Sequence, residues 1–172
     1  MAQKLAKFFV GIFGGIASVW WGKYLVMFFI SLLPILELRG GLIAASLMDA
    51  PVIPSFLVCF LGNILPIPFI LWFITKIIDF FKKKGGVLGK FATWLEKKAT
   101  SKKEQIERLK YVGLILFVGI PLPGTGAWTG SIIAALLGMD KKKSFLAAVV
   151  GVILAGIIML IVSYGILGGI LK

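Results

Sequence analysis

The sequence predicts an all-α integral membrane protein. It would be an inverted repeat of two units, each a re-entrant helical hairpin plus a transmembrane helix, with an amphipathic cytoplasmic connection between them. The first supporting observation is composition: 59% of the residues are hydrophobic and the mean hydropathy is +1.03. A soluble domain of 172 residues could not bury that much apolar surface. The second is an apolar run, residues 111–138, which prolines and glycines interrupt. The third is a similarity between the two halves at an offset of about 90 residues, the separation of Gly40 from Gly130.

The chain begins with a short apolar run, residues 8–22, between Lys7 and Lys23. At 1.5 Å per residue the run rises about 22 Å, less than the roughly 30 Å of the hydrocarbon core. It is therefore either a short span or a helix lying in the interface, with Trp20 and Trp21 as anchors. We favour the span, because it places the N-terminal lysines inside.

The first repeat unit follows this N-terminal helix. Its hairpin would lie in residues 24–49, with the broken stretch at 33–49, and a turn without Lys or Arg comes next. Residues 56–81 are then long enough to cross the membrane. Pro66 and Pro68 interrupt this crossing helix, and they either kink it or free carbonyls that line a site.

A polar connection, residues 85–110, joins the two units. Its apolar residues recur at positions i, i+1, i+4, i+7 and i+8, which share one face of a helix. Most of its lysines lie off that face, a pattern that predicts a basic amphipathic helix on the membrane surface.

The second unit contains the interrupted run, residues 111–138. Proline removes a backbone donor and clashes with the preceding turn, and glycine weakens the helix further, so a continuous helix is not expected. In lipid, a broken backbone persists only where protein or a water-filled cavity satisfies it. We predict a hairpin of two short helices, followed by a final span in residues 144–171. The predicted organisation is an N-terminal helix (1–23), repeat 1 (24–84), the connection (85–110) and repeat 2 (111–172).

Two lysine clusters, residues 82–84 and 141–143, predict the orientation, because lysines beside apolar spans mark the cytoplasmic side. If both clusters lie inside, residues 111–138 must cross the membrane an even number of times. Because these residues form one segment, zero crossings are favoured, and the segment is then a re-entrant hairpin. Each unit then crosses once, so the two units enter from opposite faces. Inverted repeats of this kind recur among transporters, whose sites lie near the midplane.

Glu37 and Arg39 are the ionisable residues expected inside the first hairpin. An ionisable group at membrane depth costs at least about 2.5–3.5 kcal/mol and usually has a use. In a functional interpretation Glu37 takes up and releases a proton, and Arg39 holds an anion with its planar fork. The alternative is a structural ion pair, or side chains that reach the membrane rim.

The second hairpin offers turn amides, two threonine hydroxyls and the start of a helix predicted at residues 127–137, and such a helix start attracts anions. The alternative is tight packing with threonine as a helix cap. Trp128 is either an anchor or a wall of the site, and Asn63 either belongs to the site or bonds to a neighbouring helix. The candidate substrate or proton site comprises Glu37, Arg39, Asn63, Pro121, Pro123, Gly124, Thr125, Gly126, Trp128 and Thr129.

Other classes of function have little support in the sequence. There is no histidine, and the single cysteine, Cys59, excludes an internal disulfide. No residue constellation for nucleophilic catalysis or metal binding is present, so we expect no enzymatic activity, no metal and no cofactor. The net charge of +12 is concentrated between membrane segments, which points to the cytoplasmic face and anionic lipid rather than to nucleic acid.

Two motifs carry a family resemblance: ELRGG after a proline, and PLPGTGAWTGSIIAALLG about 90 residues later. From about Tyr24 onwards the chain resembles the small multi-drug export protein family of prokaryotes. That family looks related to the DedA (SNARE-associated, VTT-domain) superfamily, which has inverted re-entrant hairpins and is implicated in moving polyprenyl phosphates or phospholipids. The resemblance implies that Glu37 is the acid of the first hairpin and Arg39 its neighbour. DedA proteins carry arginines in the second hairpin, where this chain has Thr125, Trp128 and Thr129.

These observations together favour a small, multi-pass transporter of the prokaryotic cytoplasmic (inner) membrane. It would export small molecules, with proton coupling, as a homo-oligomer in contact with membrane lipids. One alternative is a DedA-like flippase or scramblase for polyprenyl phosphate or phospholipid. A second is a membrane scaffold that transports nothing.

Overall fold

The computed structural model describes residues 19–86, 110–122 and 124–166, together with positions 4, 8, 11, 15, 89, 90, 92–94 and 97. Every regular element in these residues is helical, as expected. The helices are α1 (Trp20–Leu32), α2 (Glu37–Leu47), α3 (Val52–Ile64), α4 (Pro66–Lys84), α5 (Lys110–Gly119), α6 (Ala127–Leu136) and α7 (Lys141–Leu160), and a π-helical turn (Ile161–Ile166) extends α7.

The first half begins at an extended residue, Val19, so that Trp20 and Trp21 open α1 instead of closing the segment before it. The helix ends at Leu32, two residues before Pro34, whose ring disfavours helical continuation. A turn follows, and α2 starts at Glu37. The interruption expected at the start of the broken stretch 33–49 is therefore present, between Leu32 and Glu37.

Helices α3 and α4 form an almost continuous rod from Val52 to Lys84, with a turn at Leu65. Pro66 stands at the first position of α4, where its missing N–H interrupts the backbone hydrogen bonding between the two helices. The rod has 33 residues, which correspond to about 50 Å of helix, so it is long enough to cross a membrane. It ends at three lysines and at Gly85, which has a φ of 66°.

The second half repeats the order of the first. Short helix α5 ends at Gly119, a break follows, and short helix α6 leads to the long helix α7. The side chain of Asp140 caps α7 by accepting a 2.8 Å hydrogen bond from the Lys143 N–H. Lys141–Gly165 is the second stretch that is long and apolar enough to span a membrane.

The packing brings the two breaks together. In each half the long helix packs on the short first helix, α3 on α1 and α7 on α5, and α6 also packs on α4. Most of α2 and α6 is buried at the centre of the apolar core.

Four parts of the predicted organisation lie outside the described residues. These are most of the N-terminal helix, most of the connection at residues 85–110, Pro123, and the end of the final span from residue 167 onwards.

Candidate functional site: the junction of the two helix breaks

The carboxylate of Glu37 lies at the N-terminus of α6. Its two oxygens accept hydrogen bonds from consecutive backbone amides, Oε2 from Ala127 N–H at 3.1 Å and Oε1 from Trp128 N–H at 3.0 Å. Glu37 is only 5% exposed. The first amides of a helix have no partner within the helix, and the positive end of its dipole favours an anion. Glu37 thus acts as an internal anion that caps a helix from the other half of the chain.

Gly126 makes this close approach possible. A Cβ atom built on Gly126 would lie 2.6 Å from both Cδ and Oε1 of Glu37, so any side chain there would displace the carboxylate. Gly126 also has φ 144° and ψ −177°, a conformation that is essentially restricted to glycine. Glu37 itself has a φ of 50°, which is uncommon for a residue other than glycine. Both sides of the contact therefore depend on unusual backbone.

Arg39 holds the loop that precedes α6. Its guanidinium donates to the Leu122 carbonyl oxygen at 2.8 Å and to both the carbonyl oxygen and Oγ1 of Thr125 at 3.1 Å. Two turn carbonyls outside the helices accept hydrogen bonds from the guanidinium in this way. Arg39 remains half-buried.

The Thr125 hydroxyl also organises the loop from within. It lies 2.9 Å from the Ile120 carbonyl oxygen and 2.8 Å from that of Leu122, and it accepts from the Leu122 N–H at 3.2 Å. Together with Arg39 it closes the break into a compact turn. We use the name latch for these contacts, which Glu37 and Arg39 make with Leu122, Thr125, Ala127 and Trp128, together with the hydrogen bonds of the Thr125 hydroxyl.

The structure brings most of the predicted site residues into the latch or beside it. Half-buried Pro121 and exposed Gly124, whose φ is 81°, lie in the loop, and half-buried Thr129 lies in the first turn of α6. Trp128 contributes its backbone amide, and its indole Nε1 is buried without a hydrogen-bond partner in the described part of the chain.

Asn63 differs from these residues because no hydrogen bond among the described residues joins it to the latch. It lies one residue before the end of α3, is 3% exposed, and has an amide oxygen with no hydrogen-bond partner among the described residues.

Sequence reasoning did not identify the partners of the two charged side chains. The functional interpretation of the sequence places a proton on Glu37 and an anion on Arg39, and in this structure the two side chains bind the loop before α6 and the first amides of α6. The sequence feature that could have indicated these partners is the pair Gly124 and Gly126, because glycine leaves the backbone accessible to a neighbouring side chain.

A second set of polar contacts joins the far end of α2 to the π-helical turn. Ser46 Oγ donates to the Ser163 carbonyl oxygen at 2.7 Å, and the Tyr164 hydroxyl donates to the Ala50 carbonyl oxygen at 3.1 Å. A π-helical turn changes the regular i→i−4 hydrogen bonding of the helix, and here the Ser163 carbonyl oxygen accepts from the Ser46 side chain. These bonds fix the end of α7 to the first half.

The latch consists of an acid, a guanidinium, hydroxyls and backbone, so it can bind ions and hydrogen-bonding groups. Among the described residues no group of three or more histidine, cysteine, aspartate or glutamate side chains could hold a metal ion. The groups that could hold a proton or a charged cargo are engaged with one another in this conformation.

The comparison with protein families gives one match. Residues 37–158 match the family model described as "Putative small multi-drug export protein". The matched region begins at Glu37 and includes the whole latch. No curated protein and no solved structure matches the chain.

Proposed function

Because the chain belongs to the small multi-drug export protein family, we propose that it is a multi-pass transporter of the cytoplasmic membrane. It exports small molecules through the junction of its two halves. The observation that carries this proposal is the latch, in which two charged side chains at the start of α2 hydrogen-bond to the loop and the helix start at the other break. Two membrane-spanning candidates and three shorter apolar helices fit a membrane protein of this kind.

The proposed architecture is an inverted repeat with two re-entrant hairpins. Helices α5 and α6 have 10 residues each, about 15 Å, or half the thickness of the hydrocarbon core. Neither can cross alone, and the break between them needs protein partners at membrane depth. The latch supplies those partners, which supports the re-entrant assignment.

Matching glycine contacts in the two halves support the repeat. A Cβ on Gly62 of α3 would meet the Phe28 carbonyl oxygen of α1 at 2.6 Å, and a Cβ on Gly151 of α7 would meet the Ile115 carbonyl oxygen of α5 at 3.0 Å. In both halves a glycine lets the long helix lie directly against the backbone of the short first helix. This equivalence fits two copies of one unit, inserted from opposite faces.

The latch is the proposed gate. Its hydrogen bonds involve charged groups, and such bonds are worth about 1.5–3 kcal/mol each. Protonation of Glu37 removes the charge that the two α6 amides and the helix dipole stabilise, so proton uptake weakens the gate. Separation of the two breaks then frees the acid, the guanidinium and the α6 amides for cargo.

Two buried polar atoms are further candidates for cargo contacts. A buried polar group without a partner costs about 1–3 kcal/mol. Trp128 Nε1 and Asn63 Oδ1 are both in this condition within the described structure. We propose that Trp128, at the start of α6, donates to cargo once the latch opens, and that Asn63 lines the path from α3.

Transport in proteoliposomes tests the proposal. The purified protein is reconstituted, and movement of a cationic dye is measured with and without a pH gradient, beside a fluorescent lipid phosphate. We expect dye movement driven by the gradient, strongly reduced by Glu37→Gln. The matched control is Asp49→Asn, which changes an exposed acid at the other end of α2 and should leave transport unchanged.

Each alternative outcome has a distinct meaning. Movement of the lipid phosphate without the dye would replace the exporter proposal with a flippase or scramblase. Movement of neither substrate would favour a scaffold. Dye transport that Glu37→Gln leaves at the wild-type rate would refute the role of Glu37 as the proton-dependent gate.

A further inference from the structure

A cleft of about 480 Å³ lies at the C-terminal end of α4, apart from the latch. Its lining contains two lysines and backbone from three glycines. The lining residues are Lys82, Gly85, Gly86, Gly89, Lys90 and Thr93.

Glycine creates this cleft by reversing the chain. Gly85 and Gly86 have φ values of 66° and 61°, and a Cβ on either would meet nothing within 4 Å. Their role is therefore conformational, since positive φ favours glycine. A Cβ on Gly89 would lie 3.4 Å from the Phe81 carbonyl oxygen, so the chain returns against the end of α4. The cleft is the space left between them.

Charge on the cleft comes from Lys82 and Lys90, one on each side of the glycine turn. Thr93 donates its hydroxyl to the Gly89 carbonyl oxygen at 2.9 Å, which holds the returning helical residues in shape. Lys84 lies elsewhere, with Nζ 5.0 Å from the centre of the Phe80 ring. Two ammonium groups and exposed backbone suit a phosphate, which accepts hydrogen bonds and carries negative charge.

An apolar groove also lies on α4, lined by residues that precede Lys82 in the chain, and it favours a lipid as the source of the phosphate. This groove, of about 430 Å³, is lined by Phe73, Lys76, Ile77, Phe80 and Phe81. A free phosphate ion would have no use for it, whereas a lipid places acyl chains beside its phosphate. Lysine clusters next to spans face the cytoplasm, where the membrane surface is anionic.

We propose that this cleft binds the phosphate of an anionic membrane lipid, whose acyl chains lie along the groove on α4. The site is independent of the latch and of any transported cargo. It fixes the end of α4, and the turn after it, at the cytoplasmic surface.

Lipid binding to the full-length protein tests this proposal. Native mass spectrometry of the detergent-solubilised protein measures retained phosphatidylglycerol, with phosphatidylcholine and inorganic phosphate as separate arms. A charge-assisted hydrogen bond from one ammonium group to the phosphate contributes at least about a factor of ten. The double variant Lys82→Gln/Lys90→Gln should therefore bind phosphatidylglycerol roughly 100-fold more weakly.

The matched control is Lys141→Gln/Lys142→Gln, which removes two exposed lysines at the start of α7. Wild-type affinity in this control supports a specific site. Equal weakening in both variants would overturn the proposal in favour of general charge attraction. Inorganic phosphate that displaces phosphatidylglycerol at comparable concentration would overturn the lipid assignment. Both substitutions lie outside the latch, so loss of transport in Glu37→Gln has no bearing on this result.

Discussion

Substitution of Gly126 by alanine tests the latch, because a methyl group cannot share the space of the Glu37 carboxylate. The backbone at φ 144° disfavours any side chain by about 1–3 kcal/mol. A displaced carboxylate loses at least one charge-assisted hydrogen bond to α6, worth about 1.5–3 kcal/mol. The free energy of unfolding should therefore fall by about 2.5–6 kcal/mol.

Gly124→Ala is the control for backbone strain alone. Gly124 also has positive φ, at 81°, but a Cβ there would meet nothing within 4 Å. Its cost should be about 1–2 kcal/mol. Thermal unfolding followed by tryptophan fluorescence separates the two variants, since each 1 kcal/mol shifts the melting temperature by about 2–4 °C at this chain length.

A double-mutant cycle with Glu37→Ala completes the test. Once the carboxylate is gone, Gly126→Ala should cost little more than Gly124→Ala, so the two substitutions will be strongly non-additive. The reasoning would be refuted if both glycine variants lost the same stability, or if Gly126→Ala and Glu37→Ala were additive.

Three further predictions concern the contacts around the two breaks. Arg39→Lys keeps the charge but loses the fork to the loop carbonyls, so stability should fall by about 1–3 kcal/mol in the same unfolding assay; an unchanged melting temperature would contradict the clamp. Thr125→Val should cost about 1–2 kcal/mol whereas Thr129→Val costs little, and equal effects would show that the loop hydroxyl is not organising the turn. Ser46→Ala should release the Ser163 carbonyl, and hydrogen exchange at the end of α7 should then increase; unaltered protection would argue that the bond contributes nothing.

The interruption of the second apolar run is the feature that the sequence predicts best. Pro121, Gly124 and Gly126 are incompatible with regular helix for local reasons, so their effect can be read without knowledge of the fold. The structure ends α5 at Gly119 and begins α6 at Ala127, where a helix was expected. The family assignment was predictable for a similar reason, because it rests on contiguous motifs.

The partners of Glu37 and Arg39 could not be predicted in this way. Their burial in an apolar stretch marks them as exceptional, but their contacts lie 83 to 91 residues away in the chain. Such contacts depend on how the tertiary fold brings the start of α2 to the break before α6, which no local propensity encodes. The sequence therefore identified the residues, and the tertiary structure identified what they bind.

The π-helical turn at the end of α7 was also unforeseen. Residues 144–171 read as one regular apolar span, and α7 instead becomes π-helical at Ile161. The hydrogen bonds from Ser46 to the Ser163 carbonyl and from Tyr164 to the Ala50 carbonyl depend on the packing of α2 against the end of α7. Apolar periodicity reports which face is buried and carries no information about such a change in hydrogen bonding.

The sidedness of the segments that follow the two proposed hairpins tests the central claim most directly. Cysteines introduced singly at Asp49 and at Lys142, in a Cys59→Ala background, are treated with a membrane-impermeant thiol reagent in intact cells and in inverted vesicles. The inverted architecture predicts that the position-49 cysteine reacts only from outside and the position-142 cysteine only from inside. Reaction of both from the same face would contradict the opposed entry of the two halves and the transport mechanism built on it.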